Sequence, residues 1–142
     1  MSHLTDEEFR RLLALRTALR QIDHDSETRA RAVGLTHMQH QLLLAVRGHP
    51  DERGPTIGEL ASALLLRHHS AVELANRAVT GGWTQRHKDT DDARVVRLRL
   101  TPAGEEALSR LAGLHRAELE RLAPLSAELD DDEDDEATGT TG

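Results

Sequence analysis

Between Arg67 and Arg99 the chain carries seven Lys or Arg residues (67, 77, 86, 88, 94, 97 and 99) against four acids (73, 89, 91 and 92), a local net charge of +3. Cations of this density, interleaved with Asn76 and the polar run His68-His69-Ser70, are the side chains that neutralise phosphates and read base edges. Arginine donates to guanine or phosphate, and asparagine can pair with adenine by giving and taking one hydrogen bond. Asp92 stands two residues before Arg94, a spacing that fits a carboxylate orienting a guanidinium; as a plain surface ion pair it would contribute little. A second kind of chemistry is metal binding. His37 and His40 lie one helical turn apart, and His115 lies on a later segment, which makes a three-nitrogen set conceivable. Histidines at such spacing are more often ordinary polar positions, and the adjacent His68 and His69 diverge on a helix. No glycine-rich phosphate loop, nucleophile elbow or paired-carboxylate arrangement is present. The chain has no cysteine, which removes disulfides, thiolate catalysis and thiol-based redox sensing. These patterns point away from an enzyme and call for no cofactor.

The net charge of the whole chain is -7, the wrong sign for a nucleic-acid binder until it is located. Residues 128–136 (ELDDDEDDE) hold eight acids and no base, and the remainder sums to +1. A run of this kind predicts a solvated, disordered tail rather than part of a core. The 142 residues suffice for one domain. Phe9 and Trp83 are the only aromatic residues, so the core must be built from Leu, Val and Ala, which favours packed helices. No run approaches the roughly 18 apolar residues of a membrane span, and no signal-peptide pattern opens the chain. A soluble cytoplasmic protein is expected.

The elements that must position the basic stretch follow from local signals. Thr5 with Glu8, Thr36 with Gln39 and Thr56 with Glu59 are capping-box patterns, each predicting a helix start. Phe9, Leu12, Leu13, Leu15, Leu19 and Ile22 form an apolar stripe on a first helix running to about Val33, and the stripe is either core or a partner seam. A second helix ends at Gly48, where GHPDERGP interrupts all periodicity. A short helix from Thr56 and another ending at Gly81-Gly82 follow. From Trp83 the period changes to alternation, so Trp83 to Lys88 and Val95 to Leu100 read as a hairpin turned by DTDD. Thr101-Pro102 opens a helix expected to run to Leu122, before Pro124.

This order of elements resembles the MarR family of winged helix-turn-helix regulators over roughly Thr5 to Pro124. The resemblance is carried by Leu35-Thr36, Gly58-Glu59-Leu60-Ala61, Gly82, Asp92-x-Arg94 and Leu100-Thr101-Pro102-x-Gly104. It implies a mainly α fold with a small β-hairpin wing, flanked by long dimerisation helices. The segments would be a dimerisation helix over 1–33, a DNA-binding region over 34–101, a C-terminal dimerisation helix over 102–125 and the acidic tail over 126–142. It further implies a homodimeric, ligand-responsive repressor on a pseudo-palindromic operator in double-stranded DNA, with a small hydrophobic or aromatic effector held between the dimerising helices and the DNA-binding lobe. The DNA-facing residues would be Arg67, His68, His69, Ser70, Glu73, Asn76 and Arg77 on the recognition helix, with Arg86, Lys88, Asp92 and Arg94 in the wing. Arg94 would enter the minor groove.

Three departures from the family pattern stand out. Arg67 occupies a position where a small cap is usual, while Ser70 and Glu73 offer a capping box three residues later, so the recognition helix is expected to begin late. Trp83 replaces an aliphatic residue and reads as core or as a ligand contact. The expected C-terminal interlocking helix gives way to the acidic run. Two other classes remain open from the residues alone: a metal-responsive regulator using His37, His40 and His115, and a winged-helix module that binds protein.

Overall fold

The computed structural model describes residues 2–137, with side chains described through residue 124. The chain divides into two compact units, residues 1–111 and residues 112–142. The first contains α1 (Asp6–Ala32), α2 (His37–Arg47), α3 (Ile57–Leu64), α4 (His68–Thr80), β1 (Thr84–Lys88), β2 (Val96–Leu100) and α5 (Pro102–Arg110); the second is α6 (Ala112–Ala137).

All three capping boxes form. In each, the threonine hydroxyl accepts from the backbone N–H three residues on, and the Glu or Gln side chain accepts from the threonine N–H. Two backbone donors are thereby satisfied at each helix start. The core of the first unit lies where α2, α3, α4 and β2 converge. Leu35, Leu42, Leu43, Leu60 and Leu98 are its large buried side chains, with Ala71, Ala75 and Ala78 giving α4 a flat inner face. The antiparallel hairpin pairs Thr84 with Leu100 through Lys88 with Val96. Its inner side is held by Leu98 and Thr84, both buried.

One glycine explains a close approach. Gly104, in the first turn of α5, sits against the Trp83 carbonyl oxygen, which an added Cβ would meet at 2.3 Å. The Thr101 hydroxyl donates to the Gly82 and Trp83 carbonyls at the same junction. The Leu-Thr-Pro-x-Gly sequence is thus the joint that seats α5 on the start of the wing.

Three expectations need correction. The recognition helix begins at His68 and not near Ser70. Arg67 is its N-cap without a side-chain bond, having no acceptor to offer. The start is set instead by the preceding turn, where Leu65 takes a left-handed φ of 53° and the Leu66 N–H bonds the Ala61 carbonyl at 2.9 Å. The helix expected from Pro102 to Leu122 is interrupted at Leu111, whose N–H folds back onto the Leu108 carbonyl. Finally, α6 continues through Pro124 to Ala137, taking in most of the segment expected to be a disordered tail. A proline removes one helical hydrogen bond without necessarily ending a long helix, and the Ala, Leu and Glu residues around it are strong helix formers. Residues 138–142 of that predicted tail lie outside the described residues. No helix among the described residues is long and apolar enough to cross a membrane.

Candidate nucleic-acid interface

The exposed side of α4 follows from its buried one. Ala71, Leu74, Ala75 and Ala78 face the core, which at 100° per residue turns His69, Glu73 and Asn76 directly outward with Arg77 beside them. His68 is exposed at the first turn, Ser70 is half-buried and Arg67 is exposed just before it. The first-turn N–H groups carry no side-chain cap. Arg67 and Arg77 form no ion pair among the described residues, nor does Lys88 on β1. The helix therefore offers a polar, cation-flanked surface whose only acid is Glu73.

The wing adds to that surface at one edge. Arg86, exposed on β1, reaches α4 and donates from Nη2 to Asn76 Oδ1. At the tip, Asp92 accepts from the Arg94 backbone N–H at 3.0 Å and from Nε and Nη2, each at 3.1 Å. This bidentate grip holds the Asp92 carboxyl below the ordinary range and leaves Arg94 projecting, its side chain 91% exposed.

Arg97 does not join this face. Its Nε donates to Asp89 at 2.8 Å and its Nη1 to the Gly54 carbonyl at 2.8 Å, so one of the seven cations counted in the sequence is spent inside the structure. Asp89 is the hub. It also takes a hydrogen bond from Arg53 Nη1 at 3.0 Å and from the backbone N–H groups of Asp91 and Asp92. Arg53 is in turn gripped by Asp51 and donates to Asp91. His87 Nε2 meets the Arg53 carbonyl oxygen at 2.7 Å, and the Leu98 N–H bonds the Pro55 carbonyl. The breaker segment 48–55 is therefore a fitted brace for the wing. The pairing of Arg53 with Asp89, on which the brace depends, was not legible in the sequence, because partners 36 residues apart leave no local pattern.

The brace has a pH signature. The Arg97 guanidinium beside Asp89, helped by the two backbone N–H groups, holds that carboxyl below its usual value, and Arg53 does the same to Asp51. A depressed folded-state pKa means that the unfolded chain binds more protons, so stability from these groups is full above the ordinary carboxylate range and is lost as pH falls through the folded pKa. An Asp89→Asn variant is expected to be less stable at pH 7 and to take up about one proton fewer on acid unfolding. Fluorescence of the single Trp83 during acid titration checks this; an acid profile identical to wild type would contradict it.

Among the described residues no group of three or more His, Asp or Glu side chains is arranged to hold a metal. His40 is fully buried, with Nδ1 3.1 Å from the Ser26 hydroxyl, while His37 is half-buried with an Nδ1 lacking a partner. His115 belongs to α6. Trp83 is half-buried and lines a cavity of about 140 Å³ with Val33, Ala103, Glu106, Ala107 and Arg110. It both fills space at the base of the wing and presents an aromatic face to that cavity.

A helix-turn-helix followed by a braced hairpin, with an outward polar helix face on α4, defines a winged-helix fold. Residues 33–95 match the family model described as MarR family. Among solved structures, AbsC, a MarR family transcriptional regulator from Streptomyces coelicolor, is similar at 23% identity and a TM-score of 0.69, covering 98% of this chain and 94% of its own. A mutant of E. coli MarR complexed with operator DNA is similar at 21% identity and a TM-score of 0.64, over 92% and 98% of the two chains. A mutant of S. aureus MepR bound to an oligodeoxyribonucleotide is similar at 13% identity and a TM-score of 0.63, over 98% and 100%. A search of curated proteins gave no match. The matched segment spans the helix-turn-helix and β1 up to the wing turn, and the likeness to these solved structures extends the fold over most of the chain.

Proposed function

We propose that the protein is a homodimeric repressor that binds a pseudo-palindromic operator in the cytoplasm and is released by a small hydrophobic or aromatic effector. The observation that carries the DNA-binding part is the outward face of α4, flanked by Arg67 and Arg77 and continued by Arg86, Lys88 and Arg94 of the wing. A helix of this polarity fits the major groove, and an exposed arginine at a hairpin tip fits a narrow minor groove.

The dimer reading is supported by α1. Phe9, Leu12, Leu13, Leu15 and Leu19 are 40–64% exposed, and a contiguous apolar stripe on a helix marks a surface that is covered in use. Two copies joined there would present two recognition helices to one duplex. Sedimentation velocity of the full chain is expected to give a species of twice the 15.7 kDa chain mass at micromolar concentration; a monomer throughout would overturn this part.

The effector reading draws on the cavity beside Trp83, whose volume is of the order that holds a single aromatic ring. An effector acts if it binds the conformer with the wrong spacing of recognition helices better than the DNA-competent one. The experiment for the whole reading is selection from a randomised duplex pool by the purified chain. Enrichment of a two-fold symmetric sequence is expected, and no enrichment would remove the DNA assignment.

A further inference from the structure

We infer that Arg86 fixes the base preference of Asn76, turning an adenine-reading side chain into one that selects guanine. This rests on the DNA-binding reading above. Asn76 points outward from α4, one turn beyond Glu73, and Arg86 lies at the centre of β1 opposite Leu98. The Arg86 guanidinium donates to the Asn76 amide oxygen.

The orientation of that amide follows from chemistry. Arginine offers donors only, so only the oxygen of Asn76 can face it, which leaves the two amide N–H groups directed away from Arg86. A free asparagine recognises adenine by accepting from the N6 amino group while donating to N7. In Asn76 the accepting atom is already engaged, and its remaining lone pair lies beside a full positive charge that repels a second donor. What Asn76 then presents to a groove is the pair of N–H groups on its Nδ2. The complementary edge is one that only accepts, and in the major groove that is N7 and O6 of guanine.

Arg86 is on this reading a positioning residue, acting through Asn76. Glu73, its neighbour on the same face, can only accept when ionised, and so faces an amino group of cytosine or adenine. The two positions together read a donor edge beside an acceptor edge.

The test is duplex selection with wild type and the variants Asn76→Ala, Arg86→Ala and Arg86→Lys, each first confirmed as folded by thermal melting. Asn76→Ala identifies the contacted base pair by abolishing preference at one position of each half-site. At that position wild type is expected to enrich guanine, Arg86→Ala to shift the guanine-to-adenine ratio by about tenfold or more toward adenine, and Arg86→Lys, which keeps a donor on the amide oxygen, to retain guanine. A purely structural role for Arg86 would lower overall affinity and leave the base unchanged. Adenine at that position in wild type, the same base in wild type and Arg86→Ala, or an enriched sequence with no position sensitive to Asn76→Ala would each overturn the inference while leaving DNA binding intact. An unenriched wild-type pool would overturn both.

Discussion

An Arg94→Ala variant is expected to bind a selected operator about 10- to 100-fold more weakly than wild type, with the slope of log affinity against log salt reduced by about 1. The two effects have one cause. Arg94 carries a full charge at the hairpin tip, its side chain is 91% exposed, and among the described residues its partner is Asp92, which aims it without neutralising it in place. In a narrow minor groove the guanidinium meets concentrated negative potential and displaces a condensed counterion. The melting temperature should not change, because an ion pair at this exposure contributes little to folding. Asp92→Ala is expected to fall between the two, since the charge remains but its orientation is lost. Titrations by fluorescence anisotropy at several salt concentrations check all of this. Wild-type affinity and slope in Arg94→Ala would take Arg94 out of the interface.

A Gly54→Ala variant is expected to lose about 2–4 kcal/mol of stability and to bind DNA weakly even where it remains folded. Gly54 has a φ of +88°, a conformation that a Cβ penalises by about 1–2 kcal/mol. The added Cβ would also meet the Leu98 carbonyl oxygen at 2.0 Å, and that oxygen belongs to β2, so the strand or the loop must move. Either movement opens the brace. Arg53, one residue away, would lose its fit to Asp89 and Asp91, and Arg97 its bond to the Gly54 carbonyl. Guanidinium unfolding followed through Trp83, read beside the DNA titration, measures both consequences. A stability within 0.5 kcal/mol of wild type, the range of an ordinary surface change, would show that the loop does not hold the wing.

What could be read in the sequence was what is local. A capping box needs only residues three apart, and all three sites beginning at Thr5, Thr36 and Thr56 form as the spacing indicates. Alternation across Arg94 to Leu100 gave the second wing strand, and Asp92-x-Arg94 gave a pair whose geometry is set within the turn itself. The misreadings were places where tertiary packing outweighs a local signal. Ser70 and Glu73 looked like a helix start, yet burial of Ala71, Leu74, Ala75 and Ala78 and the left-handed turn at Leu65 place the start at His68. Leucine gives no hint of a left-handed conformation. Arg97 entered the count of basic residues between Arg67 and Arg99, and charge counting cannot see Asp89 beneath it. The glycine of Gly54 was legible as a breaker, but not the strand pressed against it. The break at Leu111 and the passage of α6 through Pro124 also had no decisive local mark.

The most direct test of the proposed interface is to titrate the isotopically labelled full chain with a selected operator duplex and record which backbone amides shift. Shifts concentrated in residues 67–77 of α4 and 86–94 of the wing, weakened by added salt, are the expected result. Shifts absent from both segments, or confined to α1, would contradict the assignment of this face to DNA.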